Sequence, residues 1–197
     1  MPKKPLRFDA AYYRRFYFNK RTAVTHRAEM AARAELIAAY VQYIGLPVAS
    51  ILDAGCGIGL LQRPLAKLLP RAEYVGLEFS DYLCKRYGWQ QGSLASYRPG
   101  RQFDLTICYD VGQYLDDRTA ARAIVTLGQL CRGVLYFTAL TTHDWRYNCD
   151  RSRTDGNVFL RSGEWYQRRL AKKFKRVGAG LWIRRGAPLT TWEMECS

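Results

Sequence analysis

The feature that most constrains this chain is the run Asp53-Ala54-Gly55-Cys56-Gly57-Ile58-Gly59, which follows a short apolar stretch beginning at Val48 and precedes a helical pattern beginning at Leu60. A strand, a glycine-rich turn and a helix place backbone N–H groups and a helix N-terminus in front of a ligand, and the absent side chains let it come close. The spacing narrows the kind of ligand. A dinucleotide site usually reads G-x-G-x-x-G, whereas here the glycines stand at Gly55, Gly57 and Gly59 and Asp53 ends the strand just before them. A carboxylate there repels a pyrophosphate and suits a positively charged ligand.

The flanking periodicity sets this turn in an alternating fold. Arg27 to Gly45 reads as an amphipathic helix, with Ala34, Ile37, Ala38, Val41 and Ile44 at helical spacing and Gly45 then Pro47 ending it. Beyond the turn, Leu60 to Leu69 is helical up to Pro70, Glu73 to Glu78 is a strand, Ser80 to Tyr87 a short helix, and Trp89 to Leu94 a third strand. Phe103 to Tyr109 is a fourth strand, Asp117 to Leu130 a helix with Asp117 as its cap, and Gly133 to Ala139 a fifth strand. A polar loop, Thr141 to Leu160, leads to a helix over Gly163 to Phe174 capped by Ser162. Two last strands, Arg176 to Arg184 and Leu189 to Cys196, turn at Gly186, with Trp192, Met194 and Cys196 on one face. The pattern is that of a parallel α/β sheet closed at one edge by an antiparallel hairpin. No repeat or linker divides it, so residues 1–197 are expected to form one domain: a helical lid over 1–46, a ligand-binding core over 47–140, and a loop, helix and hairpin over 141–197.

A second acid supports the ligand reading. Glu78 ends the next strand, where a carboxylate can accept hydrogen bonds from both hydroxyls of a ribose. Over roughly Ile51 to Phe137 the sequence resembles the class I S-adenosylmethionine-dependent methyltransferases: Ile51 to Gly59 matches that family's first motif at every position, and Cys108-Tyr109-Asp110-Val111-Gly112-Gln113-Tyr114-Leu115 matches the segment after its fourth strand. The resemblance implies a Rossmann-like sheet of seven mostly parallel strands with a C-terminal antiparallel hairpin and helices on both faces. It implies S-adenosylmethionine as cofactor and S-adenosylhomocysteine (SAH) as product. By the same resemblance, Asp53 and the backbone of Gly55, Cys56, Gly57 and Gly59 hold the methionine part, Glu78 holds the ribose and Phe79 lies along the adenine. Tyr109 and Asp110 face the sulfonium, and Ser93-Leu94 stands where the family commonly carries an acid that reads the adenine amino group.

Methyl transfer from a sulfonium is an in-line displacement on an activated carbon, so holding the reactants in line and excluding water dominate. A general base is needed only for a nucleophile that is protonated at neutral pH. Asp110, His143 and Asp144 follow the fourth and fifth strands, at the mouth where ligands of open α/β sheets bind, and Asp110 and His143 are the catalytic candidates. Absent motifs set some chemistries aside. Asp110 is followed by Val111-Gly112 instead of the Pro-Pro-aromatic segment of enzymes that modify planar amino groups, no cysteine follows a proline, and no lysine lies between Lys85 and Lys172. Enzymes acting on pyrimidine carbon 5 or on the ribose 2′-hydroxyl would need those residues.

The acceptor must be read from the flanks. The net charge is +14, and residues 1–33 hold nine Lys/Arg against two acids while 143–185 hold twelve against four. The first flank interleaves aromatics with arginines from Phe8 to Phe18, so that Tyr12 and Tyr13 can close over a ligand or simply pack on the sheet. The second holds Trp145, Arg146, Tyr147, Arg151, Arg153 and Arg161, and arginine forks recognise carboxylate or phosphate. Tyr12, Tyr13, Arg146, Arg151 and Arg153 are therefore the substrate-binding candidates, for a small anionic molecule methylated on oxygen or nitrogen. Two other readings stay open: an RNA methyltransferase whose flanks track phosphates, and a protein that binds S-adenosylmethionine without catalysis.

Other classes are disfavoured by composition. The six cysteines, Cys56, Cys84, Cys108, Cys131, Cys149 and Cys196, form no C-x-x-C pair and the only histidines are His26 and His143, so neither a metal site nor a disulfide framework is expected. No stretch approaches the roughly 18 apolar residues of a membrane span, and Met1 to Pro5 does not lead into a signal core, which makes a cytoplasmic protein with no membrane partner the expectation.

Overall fold

A seven-stranded sheet in the order β3-β2-β1-β4-β5-β7-β6 organises the chain in a computed structural model that describes residues 8–19 and 21–195. Its strands are β1 (Ser50–Ala54), β2 (Glu73–Glu78), β3 (Gln90–Gln91), β4 (Phe103–Tyr109), β5 (Cys131–Thr138), β6 (Phe174–Gly178) and β7 (Leu181–Arg184). The first five run parallel, and β7 pairs antiparallel with both β5 and β6.

Strand β1 is buried along its whole length because layers cover both of its faces. Side chains alternate across a strand, so Ile51 enters one layer while Leu52 and Ala54 enter the other. The Ile51 layer is covered by α2 (Arg27–Tyr43) and α3 (Gln62–Leu68), which contribute Met30, Ala34, Ile37, Ala38, Val41 and Leu65. The Leu52 layer is covered by α5 (Asp117–Leu130) and α7 (Gly163–Leu170), through Ala123, Ile124, Leu127 and Leu170. Each large aliphatic side chain buried this way contributes roughly 1.5–3 kcal/mol before entropy is counted. Chain order reverses between β1 and β4, and the crevice beyond the strand ends at that reversal is where open sheets of this kind bind ligands.

Several boundaries differ from the sequence expectation. The closing hairpin is formed by β6 and β7 and turns at Gly178-Ala179-Gly180, all three at positive φ (134°, 47° and 83°), so the expected strand from Arg176 to Arg184 is folded upon itself. Gly180 packs against the strand it crosses: a Cβ there would lie 2.9 Å from Tyr136 Cε2. The segment from Leu189 therefore lies outside the sheet and ends in a 3-10 turn, Glu193–Glu195, with Trp192 and Met194 exposed, while Cys196 falls outside the described residues. The third strand shrinks to two residues, because Trp89 turns inward and Ser93 starts a turn. The cap of α5 is Asp116, whose Oδ1 accepts the Thr119 N–H at 2.9 Å, and Asp117 is the first residue of the helix. Within the expected loop after β5 lies a helix, α6 (Thr142–Tyr147), started by a capping box between Thr141 and Asp144.

The N-terminal segment contributes α1 (Ala10–Tyr13), capped by Asp9, and a π-helical turn, Arg14–Phe18, with Tyr13 and Phe16 buried. Between β2 and β3 lies α4 (Asp81–Tyr87), capped by Ser80. Four cysteines are buried free thiols, and Cys149 is a partly buried one. Among the described residues no helix is long and apolar enough to cross a membrane.

Candidate active site

The site begins with a carboxylate that burial has forced close to neutrality. Asp53, near the end of β1, is 3% exposed, and burial pushes its carboxyl up to about 7, opposed by a hydrogen bond from Tyr74 and reinforced by Glu78. The Tyr74 hydroxyl donates to Asp53 Oδ2 at 2.5 Å from β2, where strand pairing sets Tyr74 and Asp53 on the same face. No arginine or lysine ion-pairs with Asp53 among the described residues. A positive ligand beside it would supply the charge that the protein does not.

The glycine turn is held by three devices. The Gly55 and Cys56 N–H groups both donate to the Leu77 carbonyl, at 2.7 and 3.2 Å. Gly55 sits at φ 85° with its Cα so close to Val111 that a Cβ would lie 2.2 Å from Val111 Cγ2. Gly57, at φ 55°, would carry a Cβ with nothing within 4 Å, so the space beside it is open. Trp89 locks the turn from the other side, its indole N–H donating to the Gly57 carbonyl at 2.9 Å while its ring packs on Gly59 and Gly76.

Glu78 is already engaged. Its Oε2 accepts the Gly57 N–H at 2.9 Å, and Oε1 accepts the N–H groups of Phe79 and Ser80 at 2.8 and 2.9 Å. A carboxylate has about four acceptor positions, so one on Oε2 remains for a ligand hydroxyl. The turn and the start of α4 use the other positions.

From the turn a cavity of about 760 Å³ runs across the strand ends to the N-terminal segment. It brings together Asp53, Gly55, Cys56, Gly57, Glu78, Phe79, Ser93, Leu94, Tyr109 and Asp110 from the core, Tyr12 and Tyr13 from α1, and Arg153 from the segment after α6. Gly59 lies behind the turn against Trp89. Cys56 faces the cavity, yet burial and the nearby charges of Asp53 and Glu78 push its thiol far up.

Asp110 adopts φ 54°, which Asp tolerates better than most residues. It is pinned to β5: its N–H donates to the Thr138 carbonyl at 3.1 Å and Thr138 Oγ1 donates to its Oδ1 at 2.9 Å. Burial raises its pKa, against the hydrogen bond from Thr138 and the charge of Arg33. Arg33 lies over the Tyr109 ring at 4.4 Å and bonds Tyr136 and Glu29. Above Asp110 the lid closes through the Tyr12 and Tyr114 hydroxyls, 3.0 Å apart, and through Ser80 Oγ, which donates to the Phe8 carbonyl at 2.5 Å. Burial drives the phenol groups of Tyr12, Tyr13, Tyr17 and Tyr114 upward, so they stay neutral donors.

Other expected residues fall elsewhere. His143 is exposed in the first turn of α6 against Tyr147 and does not line the cavity; Asp144 is spent in the capping box. Arg146 lies over Tyr147 and Arg151 over Trp145, with Arg151 Nε donating to the Trp145 carbonyl at 3.0 Å, so both brace α6 and neither reaches the cavity. Arg153 lies 3.6 Å from Asp150. Arg161 is buried, and its guanidinium binds the carbonyls of Gly112, Leu115 and Phe159, the Tyr166 hydroxyl and Asp117. It ties the segment after α6 to the turn after β4. Sequence reasoning missed Tyr74 and Trp89 and named Tyr17 and Gln113 only within longer segments; Gln113 is buried, its carbonyl accepting from Phe159 and its side chain from Leu140.

Comparison with known proteins places this geometry. Residues 52–132 match the family model of a methyltransferase domain. Malonyl-(acyl-carrier protein) O-methyltransferase of Legionella pneumophila is 36% identical over 55 residues, 26% of this chain and 19% of that protein, so the chain spans about a fifth of the length of this curated relative. Among solved structures, DesVI of Streptomyces venezuelae superposes with a TM-score of 0.63 at 18% identity, over 91% of this chain and 99% of that one. Magnesium protoporphyrin IX methyltransferase (ChlM) of Synechocystis PCC 6803, with SAH bound, gives 0.56 at 20% identity, over 78% of this chain and 83% of that one. At these identities the structural likeness is one of fold.

Proposed function

We propose that this chain, whose residues 52–132 match the family model of a methyltransferase domain, is a class I S-adenosylmethionine-dependent methyltransferase that transfers a methyl group to an oxygen or nitrogen of a small molecule. One observation carries the reading: a single cavity of about 760 Å³ joins the glycine turn to a tyrosine-lined space under the N-terminal lid. That volume lies within the range of small-molecule sites, roughly 300–1,000 Å³, and exceeds what a nucleoside alone would fill.

The residues present fit the cofactor. Open space beside Gly57, one free acceptor position on Glu78, the exposed ring of Phe79 and the unpaired charge of Asp53 suit a nucleoside that carries positive charge. Asp53 and the turn would hold the amino-acid part, Glu78 a ribose hydroxyl and Phe79 the base. The cofactor supplies a methyl group on a sulfonium; the chain's own residues orient it, exclude water through the lid, and provide Asp110 as a proton acceptor. Ser93 has no carboxylate for the adenine amino group, and its Oγ instead accepts the Ala95 N–H at 3.3 Å.

The test is transfer of labelled methyl from S-adenosylmethionine into separated small-molecule, RNA and protein fractions, with calorimetric titration of S-adenosylmethionine and NAD alongside. Label in small molecules is expected. Label confined to RNA would move the acceptor to nucleic acid, tight cofactor binding without label in any fraction would make this a binding protein, and binding of NAD alone would remove the reading altogether.

A further inference from the structure

We infer that the methyl acceptor is an amine, held as its ammonium between Asp110 and the rings of Tyr12, Tyr17 and Tyr114, and that the cavity rejects anions despite the basic character of the whole chain. This rests on the methyltransferase reading above and concerns the acceptor half of the same cavity.

The sign of charge in the cavity is opposite to that of the protein. Five carboxylates line it, from Asp53, Glu78, Asp110, Asp150 and Asp155, against Arg153 and His26 among the described residues. Arg153 is drawn to Asp150 at 3.6 Å, so the one arginine there is partly neutralised where it stands. With Asp53 and Glu78 on the cofactor side, Asp110 and Asp155 remain for the acceptor. Neither has an ion-pair partner among the described residues. An anionic acceptor would face those carboxylates with only the charge of Arg33, which acts on Asp110 without an ion pair, and the partly neutralised Arg153 to offset them, whereas an ammonium would complete them. The chain's basic surplus lies elsewhere, for example on Lys172, Lys173 and Arg185 at the α7 and β6 edge, none of which lines the cavity.

The walls around Asp110 have matching chemistry. The Tyr12 and Tyr17 ring centroids are 6.4 Å apart, and Tyr12 and Tyr114 are joined hydroxyl to hydroxyl. Asp110 bears electrostatically on both Tyr17 and Tyr114, and Asp155 on Tyr12 and Tyr114, which gathers these rings and the two carboxylates into one cluster. Aromatic faces beside a carboxylate attract ammonium groups and keep that attraction as methyl groups replace protons.

The transfer balances without a further reagent. The ammonium first gives a proton to water, and the neutral amine's lone pair then forms a bond to the methyl carbon of the sulfonium donor. The carbon–sulfur bond breaks with its electron pair staying on sulfur, leaving a neutral thioether. The nitrogen, now cationic, passes a remaining proton to the Asp110 carboxylate, whose burial and Thr138 hydrogen bond hold it in place as acceptor.

Ligand-observed NMR on the SAH-bound full chain tests this with three probes of one frame: benzylammonium, benzyl alcohol and benzoate at millimolar concentration. Benzylammonium is expected to contact the protein at least tenfold more strongly than either other probe. Asp110→Asn, which keeps an acceptor for Thr138 and tolerates positive φ, is expected to remove that preference, and Asp155→Asn to reduce it, with SAH still bound by calorimetry. Benzoate contact equal to or stronger than benzylammonium contact, absence of benzylammonium contact, or a preference unchanged in both variants would overturn the inference. Loss of SAH binding by the native chain would instead strike the methyltransferase reading.

Discussion

Asp53 allows the charge of the cofactor to be read without knowing the acceptor. The rise of its pKa from 3.8 to about 7 corresponds to about 4 kcal/mol between its protonation states, an upper bound for a buried group. A carboxyl whose folded-state pKa is raised contributes its stability at low pH: the contribution is whole below about pH 4 and is lost as pH climbs through about 7. Ligand-free protein is thus half-protonated there near neutrality. Bringing ammonium and sulfonium charge to Asp53 restores the carboxylate, so cofactor binding releases a proton: nearly one between about pH 5 and 6, about half at pH 7, and almost none above about pH 8.5. Calorimetry in phosphate and in Tris at matched pH counts that proton from the difference in apparent enthalpy. Asp53→Asn keeps an acceptor for Tyr74 while removing the charge. It should abolish the release, weaken S-adenosylmethionine binding at least tenfold, and stabilise the ligand-free chain at pH 8 by roughly 1–3 kcal/mol, each kcal/mol raising Tm by about 2–4 °C. Proton uptake on binding, or the same proton count from Asp53→Asn, would refute the assignment of charge to this carboxylate.

Two glycines of the turn separate packing from binding: Gly55→Ala drives a methyl group into Val111 and should cost about 1–3 kcal/mol or more in urea unfolding, whereas Gly57→Ala meets only open space. Gly57→Ala should lose about 1 kcal/mol to its left-handed backbone and at least tenfold in SAH affinity. Tyr74→Phe removes the hydrogen bond that restrains Asp53, so proton release on cofactor binding should extend to higher pH in the same calorimetric experiment. Arg161→Met leaves carbonyls of two segments without their buried donor and should lower stability by about 3–5 kcal/mol in equilibrium unfolding, with no gain in tolerance for anionic probes.

What was legible in the sequence is what acts locally along the chain. Asp53 and the glycines announce themselves because strand end, turn and helix start are consecutive, and the α2 face is readable because Ala34, Ile37, Ala38 and Val41 recur at the helical period. Tyr74 and Trp89 were not legible, because each acts across strands: Tyr74 reaches Asp53 only through the β1–β2 register, and Trp89 reaches the Gly57 carbonyl from 32 residues away. The misplaced hairpin had a visible signal in Gly178 and Gly180, outweighed by the strand-like residues on either side. At α6 the pattern Thr141-x-x-Asp144 was a helix start, and reading His143 and Asp144 only as residues near a strand end missed it.

Charge shows the same limit in its sharpest form. Net charge is a sum over the whole surface, while an acceptor meets only the groups that the fold turns toward it. The arginines after β5 are spent on the protein itself: Arg161 on loop carbonyls, Arg151 on a carbonyl and a ring, Arg146 on a ring, Arg153 on Asp150. Each such pairing engages one positive group with the protein, while Asp110 is held at the crevice by its strand without an ion pair among the described residues, Arg33 acting on it only through its charge. A chain at +14 can therefore fold around a cavity of the opposite sign, and its acceptor is better inferred from Asp110, Asp155 and the tyrosines beside them than from the surplus on its flanks.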